Sequence, residues 1–303
     1  MIAVRFALYG VLSGLFGLSA FSVYGLHAGE RGSALALKPW LVGSALVGLL
    51  LSGIALALLA ASMAGTPPWP IDRDAIGMLL SGSATGTAWQ VRVVALVLAM
   101  LAALVAAGRA IHFGLVATAS GVALATLAWA GHGVMDEGAI GWAHLIADIF
   151  HLLAAGAWVG ALVGLVLLVV RPAAQADDAH LKLTHRALHG FGAVGTIVVS
   201  AIVVTGLVDA WLLVGPGNVL SMGATLYGRL LIAKLILFVA MLGLASLNRF
   251  RLTPAFERSI AARDGAGALR ALRISLAIET TCVVAILALV AWLGTIEPPA
   301  SAM

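Results

Sequence analysis

Eight runs of apolar residues, each about 20 residues long, restrict the fold of this sequence more than any other feature. Such a run crosses a bilayer only as an α-helix, because lipid offers no hydrogen-bond partners to an open backbone. The alternation of polar and apolar residues that a half-buried strand requires is missing. We therefore predict an all-α bundle of about eight transmembrane helices, at residues 4–26, 40–63, 89–107, 113–130, 142–170, 191–214, 226–247 and 272–293.

The composition supports the same class of protein. Of the residues, 62% are hydrophobic and only 10% are charged, and a water-soluble domain cannot cover its surface with so few charges. We expect residues 1–303 to form one integral membrane domain in the lipid bilayer. The first apolar run is too long for a signal peptide, so we expect it to be retained as a helix. The basic net charge comes from residues clustered in particular loops, which is typical of membrane proteins, so we expect no binding to nucleic acid.

Lysine and arginine are distributed unevenly between the loops. The odd-numbered loops carry most of these residues: Arg31, Lys38, Arg109, Arg171, Lys182, Arg186, Arg249, Arg251, Arg258, Arg263, Arg270 and Arg273. Cytoplasmic loops carry the excess of positive charge in membrane proteins. We therefore predict that these loops face the cytoplasm and that both termini face the periplasm, in the inner membrane of a bacterium.

The segment "GHGVMDEGAIGWAHLIADIFHLLAAGAWVGAL" concentrates ionisable residues at the start of the fifth apolar run. On a helix of 100° per residue, His144, Asp148 and His151 share a face about 60° wide. A carboxylate and two imidazoles within a membrane face the protein interior, because exposing them to lipid is costly. Ala155 lies on the same face and would let a neighbouring helix approach closely.

These side chains are candidate metal ligands. His144 and His151 lie about 10.5 Å apart along the helix axis, so two imidazoles would not easily share one ion. The preceding loop adds His132 and Met135, and imidazole together with thioether suits copper, as Cu(I) or Cu(II). We predict a copper entry site at His144, Asp148 and His151, with His132 or Met135 above it. The alternative is that the histidines make ordinary hydrogen bonds between helices.

Further charged residues lie inside the predicted spans, where they need partners or a function. They are Arg92, Asp209, Arg229, Lys234 and Glu279. We predict that Asp209 pairs with Arg229 and that Asp148 pairs with Lys234. These residues either line a transport path or form structural charge pairs. Glu279 lies in the cytoplasmic half of the last span, where it either forms a proton or ion station or pairs with the basic last loop.

Residues of the second half resemble the copper-resistance inner-membrane proteins CopD and PcoD. The resemblance covers about residues 86–299 and depends on "GTAWQVR", "HLLAAGAWVGAL", Thr205-Gly206, Trp211, Tyr227-Gly228, Lys234, Asn248-Arg249, Leu252-Thr253-Pro254 and the closing "LGTIEPP". It implies an eight-helix protein of copper homeostasis. It also implies copper import with the help of a periplasmic copper-binding protein of the same resistance system.

A membrane redox protein that binds haem or quinone is the alternative function. A haem with two axial histidines needs interior histidines at similar depth on different helices. Only His144 and His151 lie clearly inside a span, and both lie on the fifth. We expect no enzymatic activity, because no hydrolytic motif, phosphate-binding loop or dinucleotide fingerprint is present.

Overall fold

The computed structural model describes residues 1–31, 35–106, 108–131, 138–170, 178–220, 222–261 and 265–299. Within them the backbone forms no strand and the following α-helices: α1 (Ile2–Tyr24), α2 (Leu37–Ala64), α3 (Arg73–Gly82), α4 (Ala84–Leu104), α5 (Ala110–Ala125), α6 (Gly138–Val169), α7 (Asp178–Val214), α8 (Leu226–Leu247), α9 (Thr253–Ala261) and α10 (Gly265–Leu293). A 3-10 turn, Thr126–Ala130, extends α5, and a π-helical turn, Asn248–Leu252, joins α8 to α9. Eight helical segments are long and apolar enough to cross a membrane, which confirms the predicted all-α bundle.

Short polar side chains start the helices that follow tight turns. The Asp72 carboxylate accepts hydrogen bonds from two backbone N–H groups of α3, both at 3.0 Å. Ser83 and Thr225 accept from the N–H groups of Gly86 and Gly228, at 2.9 and 3.0 Å. These caps satisfy N–H groups that the first turn of a helix leaves without a partner, so they define where α3, α4 and α8 begin.

The central helix α1 contacts α2, α5, α6 and α10. Its crossing with α6 is so close that a Cβ atom added at Gly160 would lie 1.9 Å from the carbonyl carbon of Gly17. A Cβ at Gly17 would lie 2.0 Å from the carbonyl oxygen of Gly156. Glycines four residues apart let helix backbones touch in a membrane. The sequence analysis placed a close approach at Ala155, but this approach uses the other side of α6, roughly opposite His144.

Arginine side chains bind carbonyl groups at the ends of several helices. Arg5 donates hydrogen bonds to Gly294 O at 2.5 Å and to Ala130 O at 2.6 Å, which joins the start of α1 to the last residues after α5 and α10. At the other end, Arg31 and Arg273 donate to carbonyl groups at the ends of α1 and α6. Cations are favourable at helix C-termini. We refer to these two ends of the bundle as the Arg5 end and the Arg273 end.

Helix α7 starts well before residue 191, where the predicted sixth span began. His180, His185 and His189 therefore lie on this helix, before the start of the span predicted from hydropathy. His180 is buried, and its Nε2 lies 2.9 Å from Leu168 O. Hydropathy marks the part of a helix that crosses the membrane, so a polar extension of the same helix gives no apolar signal.

Candidate metal site on three helices

Two site residues come from one face of α6. His144 and Asp148 are separated by one helical turn, so their side chains project in nearly the same direction. His144 is 1% exposed, and Asp148 is partly buried. Counting from Gly138 at 1.5 Å per residue, His144 lies about 9 Å into the helix from the Arg5 end. The predicted inward-facing stripe on the fifth span therefore exists in the folded chain.

The third residue, Asp209, comes from α7. One ligand atom from each of His144, Asp148 and Asp209 lies within 4.8 Å of the other two. Atoms that bind one ion tetrahedrally at about 2.0–2.2 Å lie about 3.3–3.6 Å apart. The three ligand atoms would therefore need to close by up to about 1.5 Å to share an ion, which requires rotations of their side-chain torsions. The geometry brings one imidazole and two carboxylates from two helices to a single point.

One carboxylate oxygen at this point accepts no hydrogen bond. Asp209 Oδ1 is buried, and no donor among the described residues reaches it. A buried acceptor without a donor costs about 1–3 kcal/mol. A bound cation would satisfy this oxygen, so the donor set and its electrostatics fit a metal ion.

His151 lies beside Asp209, outside the group of three. Its Nδ1 is 2.9 Å from Thr205 Oγ1 and 4.0 Å from Asp209 Oδ2. The Thr205 hydroxyl donates to Ala201 O at 2.7 Å, so the same oxygen accepts a hydrogen bond from the His151 Nδ1–H. The neutral His151 ring therefore carries its proton on Nδ1 and a lone pair on Nε2.

Gly206 leaves room for the His151 ring against α7. A Cβ atom added at Gly206 would lie 3.3 Å from His151 Cε1, which is tighter than most Cβ contacts. The pair Thr205-Gly206 therefore has two functions on α7: the threonine holds one ring nitrogen, and the glycine gives the ring space. The sequence analysis used this pair only as part of a family resemblance.

Helix α8 contributes an aromatic and a basic residue near the carboxylates. Lys234 and the buried Tyr227 both lie near Asp148 and Asp209. The two residues are seven positions apart, so they share a face of α8. Arg229 points elsewhere and donates to Gly223 O at 2.8 Å. Asp209, which the sequence analysis paired with Arg229, thus lies with His144 and Asp148.

The remaining predicted residues lie apart from this group. His132 and Met135 lie outside the described residues. Arg92 is buried on α4 and donates to Thr126 Oγ1 at 2.8 Å and to Thr126 O at 3.1 Å. Glu279, which is 4% exposed on α10, accepts a hydrogen bond from Asn248 Nδ2 at 2.7 Å.

Comparison with known proteins assigns the chain to a family. Residues 1–142 match the family "Copper resistance protein D-like, N-terminal domain", and residues 185–293 match the family "Copper resistance protein D". The chain belongs to the copper resistance protein D family. The Copper resistance protein D of Pseudomonas syringae pv. tomato is 43% identical over 308 residues, which cover 98% of this chain and 96% of that protein. No solved structure matches significantly.

Family membership confirms the resemblance to CopD and the class of copper-resistance, multi-pass membrane protein. The residues of the candidate site lie partly inside and partly outside the two stretches that match the family models. Asp209 and Lys234 lie in the second stretch, whereas His144, Asp148 and His151 lie between the first and the second. In this member of the copper resistance protein D family, the site is therefore assembled from the second matched stretch and from the segment between the two stretches.

Proposed function

We propose that this protein moves copper across the bacterial inner membrane into the cytoplasm, and that His144, Asp148 and Asp209 form its entry site. The observation that supports the proposal most is the meeting of an imidazole and two carboxylates inside a membrane-spanning bundle. Ionisable groups are costly at this depth and usually mark a path for ions or protons. The family supplies the identity of the metal, because its name refers to copper resistance.

The orientation follows from the positive charges. The Arg273 end carries Arg31, Arg186 and Arg249 as well, which favours the cytoplasm. The Arg5 end and the candidate site then face the periplasm. An ion that enters there is moving inward, which supports import. A reporter enzyme that works only in the periplasm should be active when it is fused after residue 303. Activity of a reporter that works only in the cytoplasm would contradict this orientation.

We further propose that a periplasmic copper-binding protein of the same resistance system delivers the metal. His151 and Asp209 are only 20% and 14% exposed, so the bundle largely encloses the site. A carrier that releases copper at the Arg5 end would raise its local concentration there.

A transport function agrees with the site better than haem binding or catalysis does. His144 faces the Asp209 carboxylate from α7, whereas a haem with two axial histidines requires a second imidazole on a facing helix. His151 lies on the same helix as His144. We propose binding and translocation of copper without covalent chemistry, and a Soret band in the purified protein would support the haem alternative instead.

The test is copper accumulation in bacteria that produce the full chain. His144→Ala and Asp209→Asn remove one ligand each and should reduce accumulated copper to the level of cells without the protein. His189→Ala changes an exposed histidine far along α7 and should leave accumulation unchanged. Equal accumulation in all three variants and the parent would contradict the proposed entry site.

A further inference from the structure

Among the described residues, the donor atoms that meet at the candidate site are nitrogen and oxygen. One imidazole nitrogen and two carboxylate oxygens come together, and a second imidazole, His151, lies 4.0 Å from Asp209. Carboxylate and imidazole ligands suit Cu(II), which accepts tetragonal nitrogen and oxygen coordination. Thioether and thiolate ligands suit Cu(I).

The sulfur-containing side chains near the Arg5 end have other surroundings. Met63 and Met78 are 69% and 70% exposed, so their thioethers point to the outside of the bundle. Met222 packs in a small apolar cluster with Val214 and Leu293. These positions correspond to packing or lipid contact, the ordinary use of methionine in a membrane protein.

Cys282 has a similar environment. Its thiol is partly buried on α10 and packs against the main apolar core of the bundle. A cysteine in such surroundings behaves as a small hydrophobic residue. The described part of the chain therefore places carboxylates and imidazoles at the entry site and uses the sulfur groups noted above for packing.

We infer that the entry site selects copper in the Cu(II) state, with His144, Asp148 and Asp209 as its ligands. This inference rests on the proposed function and adds the oxidation state of the transported ion. Among divalent ions, Cu(II) also binds nitrogen and oxygen ligands more tightly than Zn(II). No electron transfer is part of the proposal, so the ion enters the site and leaves it as Cu(II).

Asp209 gives the selection its structural basis. Its Oδ1 is buried and receives no hydrogen bond from the described residues, so it offers a carboxylate lone pair to an incoming ion. Beside it, Thr205 holds the His151 ring through Nδ1, the ring nitrogen nearest to Asp209. Hard and borderline donors that are already oriented favour a borderline divalent ion over a soft monovalent one.

The experiment uses the purified full-length protein in lipid nanodiscs. Cu(II) is titrated against a competing chelator, and electron paramagnetic resonance detects nitrogen coupling to the bound ion. Ag(I), a redox-inert analogue of Cu(I), is added at equal concentration. We expect one Cu(II) with nitrogen coupling, no displacement by Ag(I), and an affinity at least about tenfold lower in His144→Ala and Asp209→Asn.

Two controls separate the possible results. Met222→Leu and His189→Ala should bind Cu(II) as the parent does, and Asp209→Asn decides the outcome if His144→Ala does not fold. Displacement of Cu(II) by Ag(I), or loss of binding in Met222→Leu, would show that the site prefers a soft ion and would overturn the inference while leaving copper binding intact. A parent protein that binds neither ion would overturn the proposed function itself.

Discussion

Adding a single methyl group at the crossing of α1 and α6 should destabilise the whole bundle. In Gly160→Ala, the new Cβ would lie 1.9 Å from Gly17 C and 2.1 Å from Leu18 N, both backbone atoms that cannot rotate away. Ordinary contact starts at about 3.4 Å, so the helices would need to separate by roughly 1.5 Å along part of their interface. Overpacking of this kind costs about 1–3 kcal/mol, and because the obstacle is backbone we expect the upper end, about 3 kcal/mol.

The control is Gly10→Ala, on α1, the other helix of this crossing. A Cβ there meets nothing within 4 Å, and replacing glycine by alanine within a helix stabilises it by up to about 1 kcal/mol. Both variants are unfolded by increasing SDS in mixed micelles, and tryptophan fluorescence follows the transition. Equal unfolding free energies for Gly160→Ala and Gly10→Ala would refute the close crossing.

Two further predictions concern single side chains. Thr205→Val removes the oxygen that accepts from His151 Nδ1–H, so the unfolding free energy should fall by about 1 kcal/mol, whereas Thr205→Ser should keep it; SDS unfolding measures both. Burial raises the pKa of Glu30. The hydrogen bonds from Arg186 and from the His27 N–H, together with the charges of these two residues, lower it by more than burial raises it, so the pKa lies below its usual value. The pair therefore stabilises the fold above about pH 4.5 and loses its effect as the pH falls through the lowered pKa. Glu30→Gln should lower the unfolding free energy by about 0.5 kcal/mol at pH 7 and by less at pH 3, as unfolding curves at the two pH values would show.

The eight membrane spans could be predicted from the sequence because each one depends on local composition. A helix in lipid satisfies its own backbone, so length and hydropathy are sufficient to locate it. The positions where the helices begin and end were harder to predict from the sequence. The extension of α7 back to Asp178 is polar, and its helical state depends on contacts such as the one between His185 and Glu257.

The face shared by His144 and Asp148 was also predictable, because residues on one helix keep a fixed angular relation. The addition of Asp209 was not. It depends on how α7 is rotated about its axis and how far it slides along α6, and both are set by packing between helices. The spacing of Thr205 and Asp209, one turn apart on α7, was the available signal that this helix presents a polar face.

The sequence by itself determined the class of the protein, the number of spans and the face of α6 that carries ionisable groups, because these properties depend on hydropathy and on the periodicity of a single helix. The tertiary structure decided which helices touch and therefore which side chains form a site. Asp209 lies with His144 and Asp148, and His151 is held by Thr205. Contacts between segments that are distant in the chain depend on the shapes of both surfaces. The glycines that allow two helices to approach closely can therefore be matched to their partner helix only in the folded structure.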